Sequence, residues 1–400
     1  MNIRTMRTID RYVGVPLCWM TGVWNTAVRK RMTVRRDAVD TILVIKFFGF
    51  GSILLTTPLL TKLYEQFPSA HIFYLSFESN REILEKLPFR LHVLTISSKS
   101  FPDFLRDTLV ALRQLRRAKL TIVFDLEFFS KFSTVLSVFS GGRFRVGYEL
   151  PTHWRRSNLT HPIPLDRSAH VTRVFLKQLE AIGISSNEDV VLTHLQATET
   201  ERIAMERKLG LATNGIEVIA VNINAGPTSW ERRWQPEYFI EVGRHLVRQN
   251  SARKLFFIGS ADEHAYIDET LTKFPELKPY ATNCAGILSV GELIALLRRS
   301  SFLLTNDSGP MHLASATGTK VVALFGPESP QFYGPLGDVR VVYKGIECSP
   351  CLNMYNAKLF VCPYNARCMK EISVDEVLNA IRSLEGLSAD KQDIPLVAHV

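Results

Sequence analysis

The stretch "TNDSGPMHLASATGTKVVALFGP", residues 305–327, ends one apolar run on Asp-Ser-Gly-Pro and enters another after a helix-length interval. Asp307 and Ser308 are helix-capping residue types, Pro310 suits a first helical position, and Gly309 allows a ligand close to the backbone. The amides of a helix's first turn have no partner within the helix and point outward, so this turn suits an anion, a diphosphate in particular. His312 falls in the same turn and adds a donor for a phosphate oxygen. Taken alone, the stretch reads equally as a capped structural helix with a packed histidine. Two more loops argue for the anion. "NAGPTSWERRWQPEYF" (224–239) leaves a strand at Asn224, turns at Gly226 and sets Arg232 and Arg233 before a proline-started helix. Arginine binds phosphate bidentately; the bland counterpart is a solvated charge pair beside a buried tryptophan. "FIGSADEH" (257–264) places Asp262 and Glu263 after another strand, where a carboxylate accepts hydrogen bonds from a ribose or a base.

Loops of this kind must be delivered to one edge of a scaffold. "TILVIKF" (41–47) is an apolar run of buried-strand type, followed by a glycine-bearing turn and an expected helix from about residue 52 to 65. "HIFYLSF", "LHVLTI", "LTIVFDL" and "RFRVGYE" repeat the strand theme, with helical patterns between the earlier ones and the amphipathic stretch 170–183 after the last. A second series starts at "EVIAVNINA" (217–225) and runs through "KLFFIGS", "SFLLTND" and "KVVALFG". Fully apolar strands alternating with helices mean parallel sheets covered on both faces. The expected fold class is therefore α/β, with two doubly wound domains. In such sheets ligands sit beyond the carboxyl ends of the strands, at a switch point, which places the expected site in a cleft where two such domains face each other. The expected organisation is a basic, aromatic N-terminal segment 1–40, a domain over 41–190, a second over 191–375, and a helix and tail over 376–400.

With 400 residues, 46% apolar and 22% charged, the chain has room for two cores. A net charge of +9 suits anionic partners, but no zinc finger, aromatic RNP pattern or basic recognition helix points to nucleic acid. Eight basic residues against three acidic ones fall in the first forty, Arg4, Arg7, Arg11, Arg29, Lys30 and Arg31 among them. They bracket "YVGVPLCWMTGVWNTAV", too short and too interrupted to span a bilayer, and without a cleavage site. Trp19 and Trp24 with flanking arginines suit an interfacial segment on anionic lipid; the alternative is a helix packed on the protein's own core. Cys348, Cys351, Cys362 and Cys368 form C-x2-C-x10-C-x5-C, which reads as a thiol cluster and, in its first half, as a possible structural zinc site.

The 305–327 block, with "RRWQPEYF", "FIGSADE", the "CSPC…C…CM" tail and "VIKFFGFGSILLTTPLL", resembles glycosyltransferase family 9, the ADP-heptose:lipopolysaccharide heptosyltransferases, over residues 41–385. The resemblance implies two Rossmann-like domains facing a central cleft (GT-B), an inverting transfer, and no metal or other cofactor. It implies that Asp307, Ser308, Gly309 and His312 hold the donor's diphosphate and sugar, Arg232 the phosphate side, and Glu263 the nucleoside. It implies a nucleotide-sugar donor (ADP-heptose favoured), a lipid-linked saccharide acceptor, and cytoplasmic placement at the anionic inner face of the inner membrane. One position departs. The family's first loop reads Gly-Asp, its Asp being the base, whereas this chain has Gly51-Ser52. A serine without a neighbouring base does not take a proton at neutral pH. "FDLEFFSKFS" (124–133) ends a strand at the same edge, so Glu127, or else Asp125, is the expected base; the alternative has Asp125 capping a helix and Glu127 merely exposed. Rival readings are a family-9-like transferase with another nucleotide sugar, building capsule or surface polysaccharide; a nucleotide-sugar 2-epimerase; and a non-catalytic nucleotide-binding relative.

Overall fold

The computed structural model describes residues 10–386, apart from residue 11 and the segments 29–33, 150–154, 187–189, 212–214, 227–229, 354–355 and 357–359. Arg4, Arg7, Arg11, Arg29, Lys30, Arg31, the side chain of Trp24 and the tail 387–400 lie outside the described residues. The chain divides into two compact units, Met1–Thr193 and His194–Val400.

The first unit holds strands β1 (Thr41–Ile45), β2 (His71–Phe77), β3 (Leu91–Ile96), β4 (Ile122–Asp125), β5 (Phe144–Glu149) and β6 (His161–Pro164). Its helices are α1 (Gly14–Val28), α2 (Phe50–Leu54), α3 (Thr57–Gln66), α4 (Arg81–Lys86), α5 (Phe101–Ala118), α6 (Lys131–Phe139) and α7 (Val171–Glu180). The second unit holds β7 (Glu217–Asn222), β8 (Arg253–Phe257), β9 (Ala281–Asn283), β10 (Ser300–Asn306), β11 (Val321–Phe325) and β12 (Val339–Tyr343). Its helices are α8 (Glu199–Leu209), α9 (Pro236–Gln249), α10 (His264–Thr272), α11 (Val290–Arg299), α12 (Gly309–Thr317), α13 (Pro330–Tyr333), α14 (Arg367–Lys370) and α15 (Val374–Leu384).

Every pairing in both sheets is parallel. The orders are β3-β2-β1-β4-β5-β6 and β9-β8-β7-β10-β11-β12. Both are the doubly wound order in which strand sequence reverses once, between first and fourth strands. The α/β expectation holds. Central strands are buried along their length, as in β4 and β11, which is why they read as continuous Val/Ile/Leu/Phe runs instead of alternating.

The single helix expected over 52–65 is two. Thr56 and Thr57 turn their hydroxyls back to the carbonyls of Ile53 and Leu54, each at 2.7 Å, and Pro58 has no amide to continue the ladder. The short α2 therefore stops at Leu54 and α3 restarts at Thr57.

Candidate active site

In the second unit the strand order reverses between β7 and β10, and their carboxyl ends carry the loops with Arg232 and Asp307. Amide side chains fix them. Asn306 accepts from the Trp234 amide at 2.9 Å and donates to the Ile223 carbonyl at 2.9 Å. Asn222 Nδ2 donates to Ser308 Oγ at 2.7 Å and to Thr305 Oγ1 at 3.0 Å. Asn222, Asn306 and Ser308 are buried, and an unmet polar group there would be costly, so the satisfied network specifies one loop conformation. Trp234, fully buried, donates its indole N–H to the Ile372 carbonyl at 2.9 Å and anchors the arginine loop from below.

The loop corrects the expected capping. Ser308 sits at the N-cap of α12 but makes no side-chain cap bond, because its hydroxyl is taken by Asn222. Asp307 turns away from the helix, with Oδ2 3.3 Å from Arg232 Nη1. Gly309 opens α12 and His312 is buried in its first turn. With Ser308 making no cap bond, the start of α12 is a helix N-terminus suited to an anion. Burial raises the pKa of Asp307 above the usual carboxylate value, and Arg232 opposes that rise. Arg232 Nη2 donates to the Ala225 carbonyl at 2.5 Å, so its fork is held in place before any ligand arrives.

The neighbouring residues are not a solvated charge pair. Arg233 lies 3.7 Å from the Trp230 ring centroid and 4.8 Å from that of Tyr266. Burial lowers its pKa, opposed by Tyr266 and Glu263. Glu263 Oε2 closes a capping box with Ser260, accepting from its amide at 2.8 Å and its hydroxyl at 3.0 Å. Its Oε1 stands 4.0 Å from Arg233. Half of this carboxylate is committed locally. Gly226 has φ +69° with open space where a side chain would stand, a turn that favours glycine; Pro227 to Ser229 lie outside the described residues.

In the first unit the reversal falls between β1 and β4. Glu127, just past β4, is buried and neither exposed nor isolated. Its Oε1 accepts from Lys46 Nζ at 2.9 Å and from the amides of Phe47 at 2.7 Å and Phe48 at 3.0 Å. Burial would raise its pKa; Lys46 and the two amides outweigh burial and hold it below the usual glutamate value. All three donors fall on Oε1, and Oε2 accepts none among the described residues. Asp125 is different. It is sealed from solvent, Oδ2 accepts from Arg155 at 2.7 Å and Ser133 at 2.9 Å, and Oδ1 accepts from the Glu127 amide at 3.1 Å. Its expected alternative role as the base is corrected: both oxygens are spoken for inside the core. Nor does it cap the helix, since Ser130 caps α6. Burial raises its pKa, opposed by Arg155 and Ser133. Ser52, half-buried in α2, makes no hydrogen bond through its hydroxyl among the described residues, so no base activates it.

Lys46, Arg155, Asn222 and Asn306 carry no role in the sequence reading. Lys46 had a signal, a lysine ending an otherwise apolar strand run; Arg155 had none.

Among the described residues no three His, Cys, Asp or Glu side chains are grouped to hold a metal ion. Cys351 and Leu352 amides both donate to Pro327 O, at 2.9 and 2.7 Å, Cys362 Sγ accepts from the Ala366 amide, and Cys368 lies buried against Gly326. Burial first, then the neighbouring thiols, pushes Cys368 up to about 11, a protonated thiol at neutral pH.

Two doubly wound, all-parallel sheets, one with buried basic and amide side chains at its switch point, define an α/β protein of Rossmann-like architecture. Residues 109–359 match the model of "Glycosyltransferase family 9 (heptosyltransferase)", and the chain belongs to that family. Lipooligosaccharide heptosyltransferase 2 of Haemophilus influenzae is 34% identical over 117 residues, 29% of this chain and 33% of that protein; the match thus spans about a third of the relative's length. Lipopolysaccharide heptosyltransferase 3 of Escherichia coli is 27% identical over 292 residues, 71% of this chain and 82% of that one. The crystal structure of a family 9 glycosyltransferase from Veillonella parvula superposes with a TM-score of 0.72 at 24% identity, covering 87% of this chain and 98% of that one; it shares the fold.

Proposed function

We propose that this chain is an inverting glycosyltransferase that moves a sugar, with a heptose from ADP-heptose the favoured donor, onto lipopolysaccharide or a related cell-surface glycan. The observation that carries this reading is the Arg232–Asp307 pair beside the uncapped start of α12, in a chain of family 9. A fixed guanidinium and helix amides stabilise the departing nucleoside diphosphate, whose charge grows as the bond to sugar C1 breaks; preorganised donors act there without reorganisation. Gly309 and Gly226 give the ligand room, His312 completes the first turn, and Glu263 Oε1 with Arg233 borders the nucleoside end. Glu127 is the base that takes the proton of the acceptor hydroxyl through Oε2, its other oxygen being clamped by Lys46. No cofactor or metal enters this scheme.

The acceptor is a lipid-linked saccharide, and the site of action is the cytoplasmic, anionic face of the inner membrane. In support, the first forty residues are strongly basic, and no helix among the described residues is long and apolar enough to cross a membrane. A second reading, transfer from another nucleotide sugar into capsule or surface polysaccharide, is favoured by Ser52, which departs from the family's aspartate. Non-catalytic nucleotide binding is the outcome if transfer is absent. A thermal-shift panel of ADP, UDP, GDP and their sugar conjugates, followed by acceptor-dependent release of the nucleoside diphosphate, tests the proposal. Stabilisation by ADP-heptose with no release in the presence of a lipooligosaccharide acceptor would refute catalysis and leave binding.

A further inference from the structure

Among the described residues, helix α1 of the N-terminal segment turns one face to the first unit. Along α1, Gly14, Cys18, Thr21 and Gly22 are buried, a stripe of helical spacing turned to the protein. Asn158 Nδ2 donates to the Cys18 carbonyl at 2.8 Å and Asn25 Nδ2 to the Ser157 carbonyl at 2.6 Å. The opposite stripe is apolar and open: Pro16 is exposed, with Trp19 (53% exposed), Met20 (59%) and Val23 (53%) completing the i, i+3, i+4, i+7 pattern. The helix thus has a packed inner face and an exposed apolar outer one.

A second helix of the same unit has the same construction. In α5, Thr108, Ala111 and Leu115 are buried, while Phe101, Leu105 (49%) and Leu109 (46%) lie exposed at four-residue intervals. Helix α6 joins the two. The Phe132 amide donates to Asp10 Oδ1 at 2.8 Å ahead of α1, and the Phe132 ring packs 4.8 Å from that of Phe104 in α5. Arg116 of α5 donates to the Phe139 carbonyl at the end of α6 at 2.7 Å.

The charge around this layer is mainly positive. Arg113, Arg116, Arg117 and Lys119 are exposed along the last turns of α5 and just beyond. The acids nearby are locally paired, Asp10 with Lys131 at 3.6 Å and Asp103 and Asp107 with Arg106 at 3.2 and 3.0 Å. Exposed tryptophan and aliphatic side chains, with arginines following them along α5, match the interface of an anionic bilayer, where rings sit among headgroups and guanidinium groups meet phosphate. A second copy of this chain would bring the same basic rim against itself.

We propose that the outer surface of α1 and α5, joined through α6, docks the protein on an anionic lipid surface. This deepens the proposed function, resting on its reading of a lipid-linked acceptor, and adds which face meets the lipid. The inner face of α1 also holds Ser157 and Asn158, in the segment whose Arg155 grips Asp125 and the Glu127 carbonyl. Docking would therefore present the carboxyl end of β4 in a fixed attitude to the membrane.

The test uses the full chain and flotation with vesicles of phosphatidylethanolamine and phosphatidylglycerol against vesicles of phosphatidylcholine alone. The expected result is binding to the anionic vesicles only, weakened by salt. Trp19→Ser with Met20→Ser, and separately Leu105→Ser with Leu109→Ser, should each lower the partition coefficient about ten-fold, with thermal midpoint and nucleotide-induced shift retained. Equal partition of wild type to both vesicles, wild-type flotation of both variants, or a dimer in sedimentation that these substitutions dissolve would overturn the proposal. Nucleotide binding is measured without vesicles, so failure of docking and failure of the donor-site reading register separately.

Discussion

Arg232 and Asp307 meet at 3.3 Å, one from the loop after β7 and the other from the loop after β10, where the strand order of the second sheet reverses. Lys46 and Glu127 meet at 2.9 Å at the corresponding reversal of the first sheet, from the loops after β1 and β4. Each unit thus closes its switch point with a buried or nearly buried ion pair. Such pairs contribute little net stability against a well-packed apolar substitute, yet removing one partner is severe. Their value lies in fixing where a charge stands.

Arg232→Lys keeps the charge and loses the fork that holds both the Ala225 carbonyl and Asp307. A charge-assisted hydrogen bond contributes about 1.5–3 kcal/mol, so the affinity for a nucleoside diphosphate should fall roughly ten- to hundred-fold by calorimetry. An unchanged dissociation constant would place the diphosphate elsewhere.

Lys46→Met strands the Glu127 carboxylate and should cost about 3–5 kcal/mol in denaturant unfolding. The pH dependence should change sign. In the wild type Glu127 is held below its usual value, so its contribution is present above the unfolded-state pKa and is lost as pH falls through the folded one. Without Lys46, burial dominates and the folded pKa rises above the unfolded one. The variant should then gain stability on acidification through that raised value. Parallel pH profiles for the two proteins would contradict the assignment.

Glu127→Gln should lower transfer by about 10²–10⁴-fold, the usual worth of a positioned base, and leave the donor's thermal shift intact. If turnover is unaffected, Glu127 only holds the Phe47–Phe48 turn.

Trp234→Ala should destabilise the second unit by about 3–5 kcal/mol, the cost of emptying a large buried site. Trp234→Phe keeps most of the volume and strands the Ile372 carbonyl, for a smaller loss of about 1–3 kcal/mol. Calorimetric midpoints of the two variants should fall in that order, and a phenylalanine variant as unstable as the alanine one would show that the indole hydrogen bond, not volume, anchors the loop.

Much of the site was legible before folding. Asp307 to His312, Arg232 and Glu263 stand out because chemistry at a strand's carboxyl end requires turn-forming, capping and charged residues in a short interval, and linear spacing records that. The capping role of Ser308 was misjudged because a hydroxyl before a helix reads the same whether it turns to its own helix or, as here, to Asn222 of another strand. Asp125 and Glu127 were inseparable in sequence for a similar reason. Only packing shows one carboxylate sealed with Arg155, thirty residues away, and the other clamped on a single oxygen by Lys46, eighty-one residues away.

By itself the sequence determined two rounds of buried parallel strands and helices, since apolar periodicity is a local property that each segment carries alone. It determined too that basic and turn-forming residues follow the strands. The tertiary structure decided which charges pair, which thiols are buried, and which apolar side chains of α1 and α5 are exposed. Those outcomes depend on distances between residues remote in the chain, and desolvation acts on a group according to what surrounds it in space, which no stretch of sequence states.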